Sequence, residues 1–128
     1  MSIFIVQLGT PRKPHEGLRL GTVRRPPRGV RKSDFARLHY YDVWFPNLSP
    51  SAELVKEARQ AADPRAWAAF RRKFRREMSE PGRSQELDML AALSRQTNLS
   101  LGCYCEDEAR CHRSVLRELL VDRGADVV

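Results

Sequence analysis

Residues 99–128 decide the fold, and they read LSLGCYCEDEARCHRSVLRELLVDRGADVV. Leu99–Tyr104 is short and mainly apolar, which predicts a buried strand, and apolar residues then recur at helical spacing within Val115–Leu120. Gly124 is suited to end that helix, and Ala125–Val128 predicts a short edge strand. The order strand, loop, helix, strand is typical of a parallel sheet with helices packed on it. We therefore predict an α/β fold with a mainly parallel sheet of about four or five strands.

Three more strands are predicted in the first part of the chain, at Ser2–Leu8, Gly17–Val23 and Tyr40–Phe45. The first is a continuous apolar run, the second alternates loosely, and the third is aromatic and β-branched. The connection between the first two strands is short for a parallel crossover, which favours an antiparallel second strand.

Helices are predicted in the middle of the chain. Ser49-Pro50 and Asp63-Pro64 each offer a capping side chain followed by proline, which is a helix start signal. The second signal opens a predicted helix Arg65–Glu80, and Pro81-Gly82 breaks the chain before a further helix. The apolar residues of the predicted helix, at steps of three and four, are Trp67, Phe70, Phe74 and Met78. This stripe indicates a core-facing side, and the basic face Arg71–Arg76 is either solvated or contacts nucleic acid.

Length and composition indicate one domain spanning residues 1–128. The chain is 41% hydrophobic and 30% charged, which is typical of folded soluble proteins. The longest apolar run, Ile3–Val6, is too short to cross a bilayer, and no secretory signal pattern precedes it. Three cysteines cannot all pair within one chain, so we expect free thiols in a reducing cytoplasm and no membrane partner.

Positive charge is concentrated near the amino terminus. The formal net charge is +7, and residues 1–40 hold nine Lys or Arg against only Glu16 and Asp34. Such a segment attracts anions, from a single phosphate to a nucleic-acid backbone. A solvated basic arm is the alternative interpretation.

All three cysteines lie in the segment Cys103–Arg113, which has four interpretations. Cys103, Cys105, Cys111 and His112 are the residue types of a Cys₃His zinc site, although C-x-C followed by adjacent Cys-His departs from the usual structural spacing. The spacing from Cys111 to Arg117 matches the C-x₅-R of thiol phosphatases, but the glycines of a phosphate loop are missing. In a third interpretation the thiols only fill space in the core.

The fourth interpretation is a reactive pocket, and it needs no cofactor. The segment joins the carboxyl end of a predicted strand to a helix start, where ligands bind in open α/β sheets and thiols become more reactive. Cys111 is the predicted nucleophile, His112 the proton carrier and Cys105 a second catalytic thiol, while Arg113 is predicted to hold an anion.

Several short motifs together resemble a known bacterial family. They are Pro27-Arg28-Gly29, Asp42–Pro46, Leu48–Ser51, Gly102–Cys105 and Cys111–Arg113. This set resembles the YeaO-like family, a domain of unknown function, in a branch that carries a C-terminal CxC…CHR motif. The resemblance spans residues 17–120 and implies a cytoplasmic α/β domain without an established activity. Val23–Gly29 departs from the family pattern, because it lacks an acid and a tryptophan that many members have.

The loops after three predicted strands carry charged or sulfur-containing residues. These loops are Gly9–Arg12, Arg24–Arg28 and Cys103–Arg113. Strands running in one direction would bring all three loops to the same edge of the sheet. Arg24 and Arg28 are then predicted to bind a phosphate or carboxylate beside Cys103, with Tyr41 or Trp44 stacking on a planar group. Alternatively, the arginines pair with Glu106–Glu108.

The main functional hypothesis is a small enzyme or ligand-binding domain that uses a basic, cysteine-containing cleft. Its ligand would be an anionic small molecule, phosphate-like or nucleotide-like. The rivals are a nucleic-acid-binding module with structural cysteines and a zinc-stabilised interaction domain.

Overall fold

Four parallel strands form one sheet, and the computed structural model describes it together with the rest of residues 1–128. The strands are β1 (Ile3–Gln7), β2 (Leu18–Gly21), β3 (Val43–Trp44) and β4 (Leu99–Cys103), in the order β1-β4-β2-β3. The α-helices are α1 (Ala52–Gln60), α2 (Pro64–Met78), α3 (Pro81–Leu93) and α4 (Arg113–Asp122). The predicted α/β fold with a mainly parallel sheet is confirmed, with four strands.

The central position of β4 explains the direction of β2. Leu99, at the start of β4, is aligned with Ile3 of β1 on one side and with Leu18 of β2 on the other. β2 is parallel to its neighbour, so the expectation of an antiparallel second strand is wrong. The physical reason is that β4 separates β1 from β2, so residues 8–17 form a crossing loop and not a hairpin. Those residues can span up to about 33 Å. The distance that they must bridge, from the end of β1 back to the start of β2 two strands away, is only roughly 16 Å.

Two predicted strands are shorter than the sequence indicated. β3 covers only Val43–Trp44, because the chain before it turns through a hydrogen bond from the Tyr40 N–H to the Phe35 carbonyl oxygen. The carboxyl terminus contributes a single parallel bridge between Val127 and Ile3. The sheet therefore ends in a two-residue strand at the β3 edge, which limits pairing with other chains there, while the β1 edge is covered only by the single bridge at Ile3.

Helices α1 and α2 begin at capping side chains, as the sequence predicted, but the cap of α1 lies two residues later than expected. Ser51, not Ser49, caps α1 by accepting a hydrogen bond from the Leu54 N–H. Asp63 caps α2, and Pro64 is the first helical residue. Pro81, which was expected to break the chain, instead opens α3, because proline fits the first turn of a helix.

Two clusters of buried side chains hold the fold together. The larger one joins the sheet to the helices through residues such as Leu101, Phe74 and Leu116. The smaller one lies at the carboxyl end of the sheet and consists of Leu8, Val23, Tyr41, Cys103 and Cys111. Gly102 lets this cluster close, because a Cβ atom there would lie 2.3 Å from Cδ2 of Leu8. No helix of the chain combines the length and apolar composition needed to cross a bilayer.

Candidate functional site

A cleft of about 770 Å³ opens at the carboxyl ends of β2 and β4. Its walls are the loop that follows β2, helix α1, the first turns of α2 and the loop between β4 and α4. This is the edge at which parallel α/β sheets bind ligands, because the loops after neighbouring parallel strands meet there. The cleft therefore has the position expected of a ligand-binding site in this fold.

The cleft is lined by cations and by no carboxylate. Its charged lining residues are Arg24, Arg25, Arg28, Lys56, Arg59 and Arg110. None of these six takes part in an ion pair, whereas ten ion pairs form elsewhere in the molecule. The Nε of Arg24 donates to the Pro50 carbonyl oxygen at 2.9 Å, which leaves its terminal nitrogens available. Unpaired cations that converge on a cleft produce a local positive potential that attracts anions.

Trp67 gives one wall of the cleft an aromatic surface. The guanidinium carbon of Arg110 lies 5.3 Å from the centroid of the Trp67 ring, a cation–π contact. An Nη2–H of Arg110 also donates to the Ala61 carbonyl oxygen at 3.1 Å. These two contacts fix the position of one of the six cations.

A cysteine–histidine pair lies at the floor of the cleft. The Sγ of Cys111 is 3.6 Å from Nδ1 of His112, and Nε2 of His112 is 2.8 Å from the Thr22 carbonyl oxygen. A carbonyl oxygen can only accept, so Nε2 carries the proton and Nδ1 faces the sulfur. The Thr22 hydroxyl donates to the Gly102 carbonyl oxygen and lies 3.1 Å from the same Nε2. The imidazole is thus held in the orientation that a proton carrier for Cys111 requires.

Arg113 lies beneath the floor and supplies the positive charge next to Cys111. Its side chain is 2% exposed, and its terminal nitrogens donate to the carbonyl oxygens of Val6 and Cys105 at 2.5 and 2.7 Å. Its Nε donates to Sγ of Cys111 at 3.3 Å, and no carboxylate contacts it. A buried guanidinium needs an anion nearby, and Cys111 is the only contact that can become one. This geometry favours the thiolate form of Cys111.

The three thiols differ in acidity. Contacts with the thiols of Cys103 and Cys105, and then with His112, hold the pKa of Cys111 well below its usual value in spite of burial. Contacts with Cys105 and Cys111, together with burial, raise the pKa of Cys103. The contact with Cys103 lowers the pKa of Cys105, but Cys111 and burial outweigh it and the net shift is upward. Cys111 is therefore the residue of the cluster whose thiolate form is most favoured.

The same cluster has donor atoms close enough to share a metal ion. The sulfur atoms of Cys103 and Cys111 and a ring nitrogen of His112 all lie within 4.8 Å of one another. The Sγ of Cys105 is 3.8 Å from Sγ of Cys103, so a fourth donor is adjacent. Thiolates and imidazole are ligands preferred by Zn²⁺.

Residues 3–124 match the family described as the active DUF488-N3 subclade. The chain belongs to this subclade. The match agrees with the resemblance of the sequence to the YeaO-like family and covers nearly the whole DUF488-N3 chain. No curated protein and no solved structure matches the chain.

Most of the predicted site residues of this DUF488-N3 protein line the one cleft. They are Arg24, Arg28, Cys103, Cys105, Cys111 and His112. The alternative in which the two arginines pair with Glu106–Glu108 is not what forms, because Glu108 pairs with Arg117 at 2.6 Å and the two arginines stay unpaired. Arg117 lies within α4, away from a C-x₅-R phosphate loop.

Two predicted ligand-binding residues, and one predicted loop, lie outside the cleft. Arg113 is directed beneath it, because its guanidinium is bound to backbone carbonyl oxygens and to Cys111. Trp44 lies on the edge strand β3, where its indole N–H donates to the Val23 carbonyl oxygen at 2.7 Å. Arg12, in the loop after β1, pairs with Asp42 at 2.8 Å.

Several residues that line the cleft are not among those predicted from the sequence. Lys56 and Arg59 are one turn apart on α1, and this spacing places both on one face of the helix. The sequence therefore contained a signal that these two cations act at the same place. Trp67 packs against the core as its place in the stripe of α2 predicts, but its half-buried ring also lines the cleft, which the stripe does not indicate. Nothing in the sequence pointed to Thr22, because its role depends on the distant residue His112.

Proposed function

We propose that this DUF488-N3 protein is a small enzyme that binds a phosphate-bearing, nucleotide-sized anion in the cleft and acts on it through Cys111. The observation that carries this proposal is the set of six cations without carboxylate partners around a cleft whose floor holds a sulfur–imidazole pair. Its volume of about 770 Å³ lies within the range of small-molecule sites, roughly 300–1,000 Å³.

In the proposed reaction, Sγ of Cys111 attacks an electrophilic atom of the ligand. One sulfur–ligand bond forms, and the bond to the leaving group breaks. The leaving group takes the bonding electron pair and receives the proton that Nδ1 of His112 has taken from the thiol. The Thr22 carbonyl oxygen keeps the ring oriented during both transfers, because it holds the Nε2 proton. Water or a second substrate then releases the group from sulfur by the reverse roles.

Two further observations support a small-molecule enzyme over a nucleic-acid-binding module. The basic face of α2 is partly neutralised, because Arg71 and Arg75 both pair with Glu118. Six unpaired cations are gathered around one concave site, which is the shape expected for binding a small ligand. The three free thiols suit a reducing compartment, so we place the protein in the cytoplasm. The description of its subclade as active also fits a site with chemistry.

Calorimetric titration tests the binding part of the proposal. ADP and inorganic pyrophosphate are the phosphate-bearing ligands, and adenosine is the uncharged comparison. The variant Arg24→Gln/Arg28→Gln removes two cleft cations, and the control Arg72→Gln/Arg76→Gln removes two exposed cations of α2 that form no ion pair. We expect the cleft variant to weaken ADP binding by about two- to thirtyfold, since each of the two exposed charge pairs contributes roughly 0.2–1 kcal/mol.

Two results would contradict the proposal. One is equal loss of ADP affinity in the cleft and control variants. The other is binding of generic duplex DNA with a steep salt dependence and no binding of any nucleotide, which is the behaviour of a nucleic-acid-binding module.

A further inference from the structure

We infer that the cluster at the cleft floor binds one Zn²⁺ ion, with Sγ of Cys103, Cys105 and Cys111 and Nδ1 of His112 as the four ligands. This site extends the proposed function, because the metal would occupy the same sulfur that the proposed reaction uses. Zinc occupancy and nucleophilic attack by Cys111 would then exclude each other, and the ion would act as a reversible inhibitor.

Two interatomic distances in the cluster match the edges of a tetrahedron around zinc. Zn–S bonds of about 2.3 Å and Zn–N bonds of about 2.0–2.1 Å give edges of about 3.8 Å between two sulfurs and about 3.6 Å between sulfur and nitrogen. The observed separation of Sγ of Cys103 and Cys105 is 3.8 Å, and that of Sγ of Cys111 and Nδ1 of His112 is 3.6 Å. The two pairs are adjacent, because the donors of Cys103, Cys111 and His112 lie within 4.8 Å of one another.

The backbone explains how two consecutive residues contribute to one tetrahedron. Cys111 is extended, with φ −129° and ψ 153°, and His112 is already helical, with φ −57° and ψ −19°. This change of conformation turns both side chains toward the same point at the start of α4. The adjacent Cys-His pair is therefore compatible with a single ion, and for the C-x-C pair the 3.8 Å separation of the two sulfurs supports the same conclusion.

Neighbouring groups complete the environment that a zinc site requires. Histidines that bind metals usually donate the other ring N–H to a carbonyl or carboxylate oxygen, and Nε2 of His112 lies 2.8 Å from the Thr22 carbonyl oxygen. Three thiolates and one Zn²⁺ carry a net charge of −1, which the buried guanidinium of Arg113 balances through its contact with Cys111. Three sulfur donors favour Zn²⁺ over Mg²⁺ or Ca²⁺, which prefer oxygen ligands.

Cobalt titration of the reduced, metal-free protein tests the site directly. Co²⁺ bound to three thiolates and an imidazole gives sulfur-to-cobalt charge-transfer absorption and intense visible bands. We expect these bands to reach a plateau at one equivalent of Co²⁺ and to disappear when one equivalent of Zn²⁺ is added. A plateau without charge-transfer absorption, or no binding at all, would overturn the inference.

Two variants assign the ligands. Cys105 is exposed, so Cys105→Ser should leave the fold intact. Loss of a residue that only hydrogen-bonds to a metal ligand typically weakens metal binding by roughly 10–100-fold, and loss of a ligand itself should weaken Co²⁺ binding by more than that. His112→Asn should do the same, and His15→Asn is the control because His15 is an exposed histidine at positive φ that asparagine tolerates. Circular dichroism checks that each variant is folded. Unchanged affinity in the folded Cys105→Ser variant would overturn the assignment.

Cobalt titration and alkylation of Cys111, carried out on the same metal-free protein, together separate failure of the zinc site from failure of the proposed function. If Cys111 reacts preferentially with anionic reagents but Co²⁺ does not bind, the zinc site is wrong and the enzyme proposal stands. If Co²⁺ binds through sulfur but the metal-free protein shows no such preference, the zinc site stands and the enzyme proposal is wrong. Protection of Cys111 from alkylation by one equivalent of Zn²⁺ is the result expected when both are correct.

Discussion

The rates at which iodoacetate and iodoacetamide alkylate Cys111 show how strongly the cleft cations attract a negatively charged molecule to the sulfur. The two reagents are similar in size and chemistry, but iodoacetate carries one negative charge and iodoacetamide carries none. Their rate ratio therefore isolates electrostatic attraction from the intrinsic reactivity of the thiol. We expect iodoacetate to react faster relative to iodoacetamide at Cys111 than at an unstructured cysteine peptide.

The magnitude follows from the size of the cleft. A sphere of 770 Å³ has a radius of about 6 Å, so a reagent at its centre lies about 8 Å from the charged ends of the lining side chains. In water at physiological salt, each cation then contributes about 0.2 kcal/mol after screening. Six cations give about 1.1 kcal/mol, which is a rate ratio about sixfold higher than in the peptide. At about 0.5 M salt the enhancement should fall to two- or threefold.

The assay uses a Cys105→Ser background and intact-mass detection, so that the exposed thiol does not contribute. Adding Arg24→Gln and Arg28→Gln should reduce the enhancement to about three- to fourfold, because four cations remain. Adding Arg72→Gln and Arg76→Gln instead should leave it unchanged. A rate ratio equal to that of the peptide, or an equal response to both pairs of substitutions, would refute the reasoning that the cations act on Cys111.

Two predictions concern stability. Burial alone would raise the pKa of Glu16, but hydrogen bonds from Arg19 and the Lys13 N–H lower it below its usual 4.5, so its charge stabilises the fold above that pH. Glu16→Gln should cost about 3 kcal/mol at pH 7, measured by urea denaturation, and the difference from wild type should shrink as the pH falls below 4.5; a constant difference would contradict it. Gly102→Ala should cost about 1–3 kcal/mol through its clash with Leu8. Leu8→Ala should be less harmful in that variant than alone, and additive effects would argue against the clash.

Features that depend on neighbouring residues in the chain could be predicted from the sequence. The start of α2 follows from Asp63 and Pro64, and its buried face follows from the spacing of Phe70, Phe74 and Met78. β4 follows from an apolar run with a turn after it. These elements are correct because capping and periodic burial are local properties.

Features that depend on strand order could not be predicted. The direction of β2 follows from its pairing with β4, about eighty residues away in the chain, and no local pattern encodes that pairing. Arg113 and Cys111 were both identified as site residues, but only the fold shows that the arginine contacts the sulfur from below and not a ligand from above. The convergence of the cations of α1 with the loop after β2 likewise follows from packing.

The placement of β4 also sets the order of events during synthesis on the ribosome. β1 and β2 have no partner between them until residues 99–103 have left the exit tunnel, because β4 alone joins them. Of the sheet, the first 98 residues can therefore form only the two-residue pairing of β2 with β3, and apolar strand residues such as Ile3 and Leu20 lack their β4 partners while translation continues. A chain halted before Leu99 therefore keeps this apolar surface uncovered, and the cleft is assembled only after β4 has entered the middle of the sheet.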